Sequence, residues 1–420
     1  MNTSNSLIID NPKLIHKTIN SIINIANKKI LNSDIELIEL DNILNGKLGL
    51  AYYCHFTYNL KGNKKYLKII EKILDNVFRT LAVSDKLFSS DLTLANGFSG
   101  LGIVLNNLIK DKILDEEYVD QVIIINDLAY ANCKEMIKNG GFDYFYGATG
   151  LLFYLNEVDS LAHCEDIIND FHNYAINNKY LFYNNTDDVY TQGVNFGYAH
   201  GTLSILEVFL NLYEKGICKE KTKDLILNTV DSLLQFSREK INFSEINHKY
   251  VGYEYPSFFP YNIMTDATDK IVYLNNKENI FHYTDRLGWC NSDLGHILML
   301  YKIGKIFNIE SYIKIANKMG DITVNRKEYI DTAISDCYIC HGSSGVAQLY
   351  KKIFEISNKE IYNEAYKHWI NITISYMQLE IKKPFSVQDL ELLTGWLGPL
   401  LTLYSFKGEV KNSWEKVFLM

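Results

Sequence analysis

Two kinds of apolar pattern alternate along the chain. In the first, apolar residues recur at three and four, as in "KKYLKIIEKILDNVF", "EEYVDQVIIINDLAYANCKEMI", "KTKDLILNTVDSLLQF", "ESYIKIANKMGDI" and "KEIYNEAYKHWINITISYM". That spacing predicts amphipathic helices with one buried face. The second kind is apolar nearly all round, and each member follows a glycine motif. These stretches read "NGKLGLAYYCHF", "NGFSGLGIVLNNL", "YGATGLLFYL", "AHGTLSILEVFL", "SDLGHILMLYKIG", "HGSSGVAQLYKKIF" and "TGWLGPLLTLYSF". Helices of that composition belong inside a protein.

The leading motif positions are Gly46, Gly97, Gly147, Gly201, Ser292, Gly342 and Gly395, separated by 51, 50, 54, 91, 50 and 53 residues. A period near 50 residues implies a repeat architecture in which each unit pairs an amphipathic helix with a buried one. Seven inner helices ringed by seven outer ones make an all-α fold, an α/α toroid. An open solenoid would need polar capping repeats at both ends, and none is visible. The G-x-x-G spacing suits helices that start close together around one opening, since glycine permits close backbone approach. Ser204 and Ser292 interrupt it.

The 91-residue step requires an insertion of about 40 residues, which falls at 242–285 and contains Pro256, Pro260 and short β-like runs such as "KIVYL". The expected division is therefore 1–241 and 286–420 for the toroid, with 242–285 as a small β-containing excursion after the fourth repeat.

The repeat register also places the chemistry. Asp143 lies four residues before Gly147, His200 one before Gly201, Cys290 two before Ser292, and Cys340 and His341 two and one before Gly342. All five sit in loops leading into inner helices, at one end of the toroid, where those loops converge. Two thiolates and an imidazole form a zinc set, and three protein ligands leave one coordination position for water or a substrate thiol. His200, with Asp143 in register to orient it, is a candidate acid/base. Two other readings of "DCYICHG" stay open. Cys337 and Cys340 could be a redox pair, although the βα setting of such pairs is missing. Cys337 could also be a fourth ligand that closes a structural site. Cys54, Cys133, Cys164 and Cys218 read as core thiols on helices. The histidines outside the register read as structural or solvated.

The formal charge of −8 and the absence of a basic block argue against nucleic acid as a partner. Seven cysteines, an odd count, do not suit a disulfide framework. With no signal peptide or membrane-spanning run in view, the expected compartment is the cytosol.

Taken together, "FDYFYGATG", "YAHGTLS", "GWCNSDLG", "CHGSSG" and "LTGWLGPL" resemble the lanthionine synthetase C-like family, the cyclases of lanthipeptide and lantibiotic biosynthesis, over nearly the whole chain. The resemblance implies one Zn²⁺ held by Cys290, Cys340 and His341, with His200 as the acid/base and Asp143 as the aspartate beside it. It also implies an active-site role for Arg286, four residues before the zinc cysteine, and an SH2-like fold for the insertion. The implied activity is formation of (methyl)lanthionine thioether rings, by addition of a precursor peptide's cysteine thiols to dehydroalanine or dehydrobutyrine. The implied partners are a dehydrated precursor peptide, a separate dehydratase and a membrane exporter, the last placing the protein at most peripherally on the inner face of the cell membrane. Access of a peptide to zinc favours an open central cavity. The family's active-site tyrosine is Asn291 here, which leaves Tyr198 and Tyr283 as candidate sources of a hydroxyl.

Competing functions are addition of glutathione or another thiol, a prenyltransferase-like alkylation, and a peptide-binding scaffold with structural zinc. The Cys-Cys-His set argues against the prenyltransferase, which would use Asp-Cys-His.

Overall fold

The all-round apolar stretches form helices buried on every side, as their composition requires. In the helix Ala148–Glu157, every residue from Ala148 to Asn156 is buried. The amphipathic stretches bury one face only: in Lys219–Gln235 the buried positions are Thr222, Leu225, Ile226, Thr229, Val230 and Leu233, spaced by three, one, three, one and three. The computed structural model describes residues 12–83, 91–186, 191–252, 257–265, 277–409 and 414–420.

In chain order the helices are α1 (Pro12–Leu31), α2 (Lys47–Lys61), α3 (Lys64–Val83), α4 (Phe98–Lys110), α5 (Val119–Asn139), α6 (Ala148–Glu157), α7 (Leu161–Asn177) and α8 (Thr202–Glu214). They continue as α9 (Lys219–Gln235), α10 (Asp293–Ile306), α11 (Glu310–Thr323), the single turn α12 (Tyr329–Thr332), α13 (Ser343–Ser357), α14 (Glu360–Glu380) and α15 (Leu397–Phe406). The inner helices are α2, α4, α6, α8, α10, α13 and α15. Each touches the next, and α15 returns to α2. The ring closes polar group to polar group as well. The amides of Leu392 and Leu393 donate to the Leu44 carbonyl, and Asn27 on α1 joins Tyr53 on α2 to Tyr404 on α15. The architecture is thus an α/α toroid of seven inner and seven outer helices. No helix among the described residues is long and apolar enough to cross a membrane.

The glycine motifs work by close approach. In every such loop but the one before α10, the chain folds back so that a carbonyl six residues upstream lies against a motif glycine. A Cβ at Gly201 would sit 1.9 Å from the Asn195 oxygen, and one at Gly345 2.0 Å from the Ile339 oxygen. No atom fits there. The two serines stand where this contact is relaxed: Ser292 Oγ donates to the Gly288 carbonyl at 2.7 Å and Ser204 Oγ to the Gly201 carbonyl at 2.6 Å.

The β structure is a five-stranded sheet of β1 (Tyr183–Asn184), β2 (Gly193–Asn195), β3 (Asn247–Val251), β4 (Asn262–Thr265) and β5 (Asn279–Thr284), in the order β1-β2-β4-β5-β3. β3 runs parallel to β5 and the other pairs are antiparallel. Val194, Ile263 and Phe281 align across three strands and are buried together. β1 and β2 come from the connection before α8, so the strands are not confined to 242–285. The run "KIVYL" lies outside the described residues. This shared sheet braces the functional loops: Phe196 N donates to the Tyr261 carbonyl at 3.0 Å, and Asn291 Nδ2 donates to the same oxygen at 3.2 Å.

The bore of the toroid differs from the open cavity expected. The segment Trp414–Met420 runs into it and is buried except at Lys416. Its carbonyls are taken by side chains of the inner layer: Tyr52 Oη donates to Trp414 O, Tyr144 Oη to Val417 O and Trp289 Nε1 to Phe418 O, at 2.7–2.8 Å. Seven helices cannot close on their own axis without a void, and dense packing demands that it be filled. Below this plug a cavity of about 700 Å³ opens among the C-terminal ends of α6, α8, α10 and α13. It lies at the end opposite the glycine-motif loops, and its lysines are committed to carboxylates and helix-end carbonyls, such as Lys302 to Glu207 and Lys215 to the Asn156 oxygen. The plug closes the bore between the two mouths. Trp414→Ala should remove about 3–5 kcal/mol of stability, read as a lower midpoint in urea unfolding. An unchanged midpoint would mean that the plug is not packed as described.

Candidate functional site

Seven helix N-termini point at one mouth of the toroid, so the local field favours anions. The residue just before each motif glycine, or before Ser292, lines this mouth: Asn45, Asn96, Tyr146, His200, Asn291, His341 and Thr394. All seven keep some solvent exposure while the motif position that follows each is buried.

The Sγ atoms of Cys290 and Cys340 and a ring nitrogen of His341 all lie within 4.8 Å of one another, and the three residues are half-buried. Cys290 N donates to the Cys340 carbonyl at 3.0 Å, which locks the two loops together. The Cys290 thiol is held well below the usual range, first by a hydrogen bond from the Cys340 thiol and then by the imidazole of His341, with the Arg286 guanidinium adding to the effect. Conversely, the Cys340 thiol is pushed up by its bond to Cys290, and His341 is raised by its bond to the same sulfur. A cluster that stabilises a thiolate, with a second thiol and an imidazole beside it, has the donor chemistry of a zinc site. Cys337 is outside this group. It is fully buried, with Sγ 3.5 Å from Met377 Sδ on α14, and burial pushes its thiol up.

One repeat earlier, His200 Nδ1 lies 2.7 Å from Asp143 Oδ2. The other carboxylate oxygen, Asp143 Oδ1, accepts from the backbone N–H groups of Phe145 (2.7 Å) and Tyr146 (2.9 Å). One buried carboxylate therefore orders its own loop and orients the imidazole. Asn184 of β1 staples the two loops, donating to the His200 carbonyl at 2.9 Å and accepting from Phe142 N at 2.8 Å. The edge of the Phe145 ring meets His200, and Phe145 also touches Trp289, the neighbour of Cys290. The acid/base pair and the thiol cluster thus share a wall.

Arg286 is exposed, and among the described residues it forms no ion pair. The carboxylate of Asp293 is engaged instead by Arg326, at 3.7 Å, and by the Phe258 amide at 2.8 Å. Tyr198 and Tyr283 do not supply a hydroxyl at the mouth. Both are fully buried, Tyr198 packing on α10 at Gly295 and Tyr283 on Phe243, and neither hydroxyl has a partner among the described residues. The sequence reading missed Tyr146 and Asn184. Tyr146 carries a signal that could have found it, since it precedes Gly147 as His200 precedes Gly201 and His341 precedes Gly342. Asn184 belongs to no motif and carries none.

Of the thiols read as helical core residues, Cys54, Cys133 and Cys164 are buried on α2, α5 and α7. Cys218 instead precedes α9 as its half-exposed N-cap. Histidines outside the register pair locally, as His55 does with Asp111 at 2.7 Å and His172 with Asp224 at 3.0 Å.

A family model described as lanthionine synthetase C-like protein matches residues 38–419. Among solved structures, nisin cyclase is similar with a TM-score of 0.65 and 17% sequence identity, over 97% of this chain and 98% of that one. At that identity the likeness is one of fold. No curated protein matches the sequence.

Proposed function

Because the chain belongs to the lanthionine synthetase C-like family, we propose that it is a zinc-dependent peptide cyclase. In this reading it adds a precursor peptide's cysteine thiol to dehydroalanine or dehydrobutyrine and closes a thioether ring. The observation that carries the reading is the convergence of Cys290, Cys340 and His341 with the Asp143–His200 pair at one mouth.

Zinc, held by Cys290, Cys340 and His341, would supply the Lewis acidity that keeps the substrate thiol deprotonated near neutral pH. The sulfur then attacks the β-carbon, a C–S bond forms, and the π pair moves onto the enolate. Arg286, exposed at the mouth, and the inner helix N-termini stabilise the enolate oxygen. His200 delivers a proton to the α-carbon through Nε2, while Asp143 holds Nδ1 and stabilises the imidazolium. One proton leaves sulfur and one arrives at carbon, so the product is an isomer of the substrate. The peptide arrives already dehydrated by another enzyme, and an exporter would take the product. Cytoplasmic location, peripheral to the membrane at most, suits that sequence.

The test is a synthetic peptide with one cysteine and one dehydroalanine. With the protein it should lose its alkylatable thiol at unchanged mass, and the purified protein should hold one zinc per chain. Thiol loss no faster than without protein would refute the reading. A metal that is present yet never responds to the peptide would favour the scaffold with structural zinc.

A further inference from the structure

We infer that Tyr146 is the positioning residue for His200 and sets the face from which the ring-closing proton arrives. The inference rests on the proposed cyclase reading. Tyr146 and His200 are stacked, with ring centroids 6.1 Å apart and an interplanar angle of 12°. Phe145 meets the same imidazole edge-on, 5.8 Å away at 79°. The imidazole is therefore bounded on three sides: by Asp143 at Nδ1, by the edge-on ring of Phe145, and by the near-parallel, offset ring of Tyr146. The first and third restraints are one unit, because Asp143 Oδ1 accepts the Tyr146 N–H at 2.9 Å while Oδ2 holds His200.

Tyr146 is also where substrate can lie. The residue is 46% exposed although it adjoins the buried carboxylate of Asp143. The ring lines a cavity of about 400 Å³ with Asp143, Asn139, Asn184 and Thr191. Tyr146 thus adjoins both the imidazole and a recess, lined by Met136 as well as by polar side chains, in which part of a peptide would be held. A planar enolate can take its proton on either face. A fixed acid delivers it to one face, whereas bulk water delivers it to both. Stacking that pins the imidazole plane therefore selects the configuration of the new α-carbon. The bond changes are those already given: C–S forms, the enolate collapses, and the proton passes from His200 Nε2 to carbon. The ring face of the aromatic does this work, so phenylalanine should replace tyrosine and alanine should not.

The experiment compares wild type, Tyr146→Phe and Tyr146→Ala on the same cysteine–dehydroalanine peptide, with the configuration of the thioether amino acid read by chiral chromatography after hydrolysis. Wild type and Y146F should give one α-configuration. Y146A should give both, with its zinc content unchanged. A single configuration from Y146A, or an equal loss in Y146F, would overturn the inference. The histidine ring-proton NMR spectrum tests the stack independently of turnover. The His200 ring-proton shift should match wild type in Y146F and move in Y146A, where Phe145 remains beside the imidazole, and a wild-type shift in Y146A would also overturn it. If wild type closes no ring, the cyclase reading fails on its own account and the NMR comparison alone decides the stacking.

Discussion

Cys340→Ala should leave the purified protein without stoichiometric zinc and slow ring closure by at least about 1000-fold. Two effects combine. An unbound thiol is only a few per cent thiolate at neutral pH, a deficit of roughly 30-fold. The remainder comes from lost positioning of sulfur against the alkene, where effective molarities are large. The structure explains why the loss should be complete. Cys340 is one of three donors, and its removal leaves only Cys290 and His341, too few for a stable zinc site. Cys337→Ala is the control from the same heptapeptide. Its thiol faces Met377 rather than the mouth, so zinc should remain. Metal analysis after dialysis, with thiol-loss rates on the cysteine–dehydroalanine peptide, reads both outcomes. One zinc per chain in both Cys340→Ala and Cys290→Ala would put the ion elsewhere and remove the basis for the mechanism.

His200→Ala should slow ring closure by about 10²–10⁴-fold, the usual contribution of a positioned acid/base, while zinc stays bound. The separation of the two effects is the informative part. The Ala199 amide donates to the Cys290 carbonyl and Phe145 bridges His200 to Trp289, but the His200 side chain is no member of the thiol cluster, so removing its imidazole leaves the ligands in place. Asp143→Asn should cost at least about tenfold, because an amide stabilises the imidazolium less than a carboxylate does. Rates and metal content measured on the same preparations decide this. A wild-type rate in His200→Ala would mean that the enolate takes its proton from water and that the Asp143–His200 pair serves the loop alone.

The glycine motifs illustrate what is legible without coordinates. Their spacing reports where seven inner helices begin, and a motif that tolerates no Cβ at Gly201 or Gly345 can only be glycine. Once the helix starts are known, so are the residues just before them, and Cys290, Cys340, His341 and His200 fall at one end of the toroid. The same rule applied to the third repeat points to Tyr146, which went unread because tyrosine is so common in this chain, at 30 residues. The reading of 242–285 as a separate excursion shows the limit of this logic. Its strand β4 pairs with β2 across the whole of α8 and α9, a contact that no local pattern encodes.

By itself, then, the sequence determined the toroid, the number of its repeats and the mouth at which its reactive side chains gather, because periodic burial and close backbone approach leave a mark at every turn of the chain. The tertiary structure decided what fills the bore, which rings enclose His200, that Arg326 rather than Arg286 engages Asp293, and that Cys337 faces away from the mouth. Each of those outcomes depends on where one side chain meets another far away in sequence. Trp289 meeting the carbonyl of Phe418 is the clearest case, since nothing in either residue's neighbourhood announces the other.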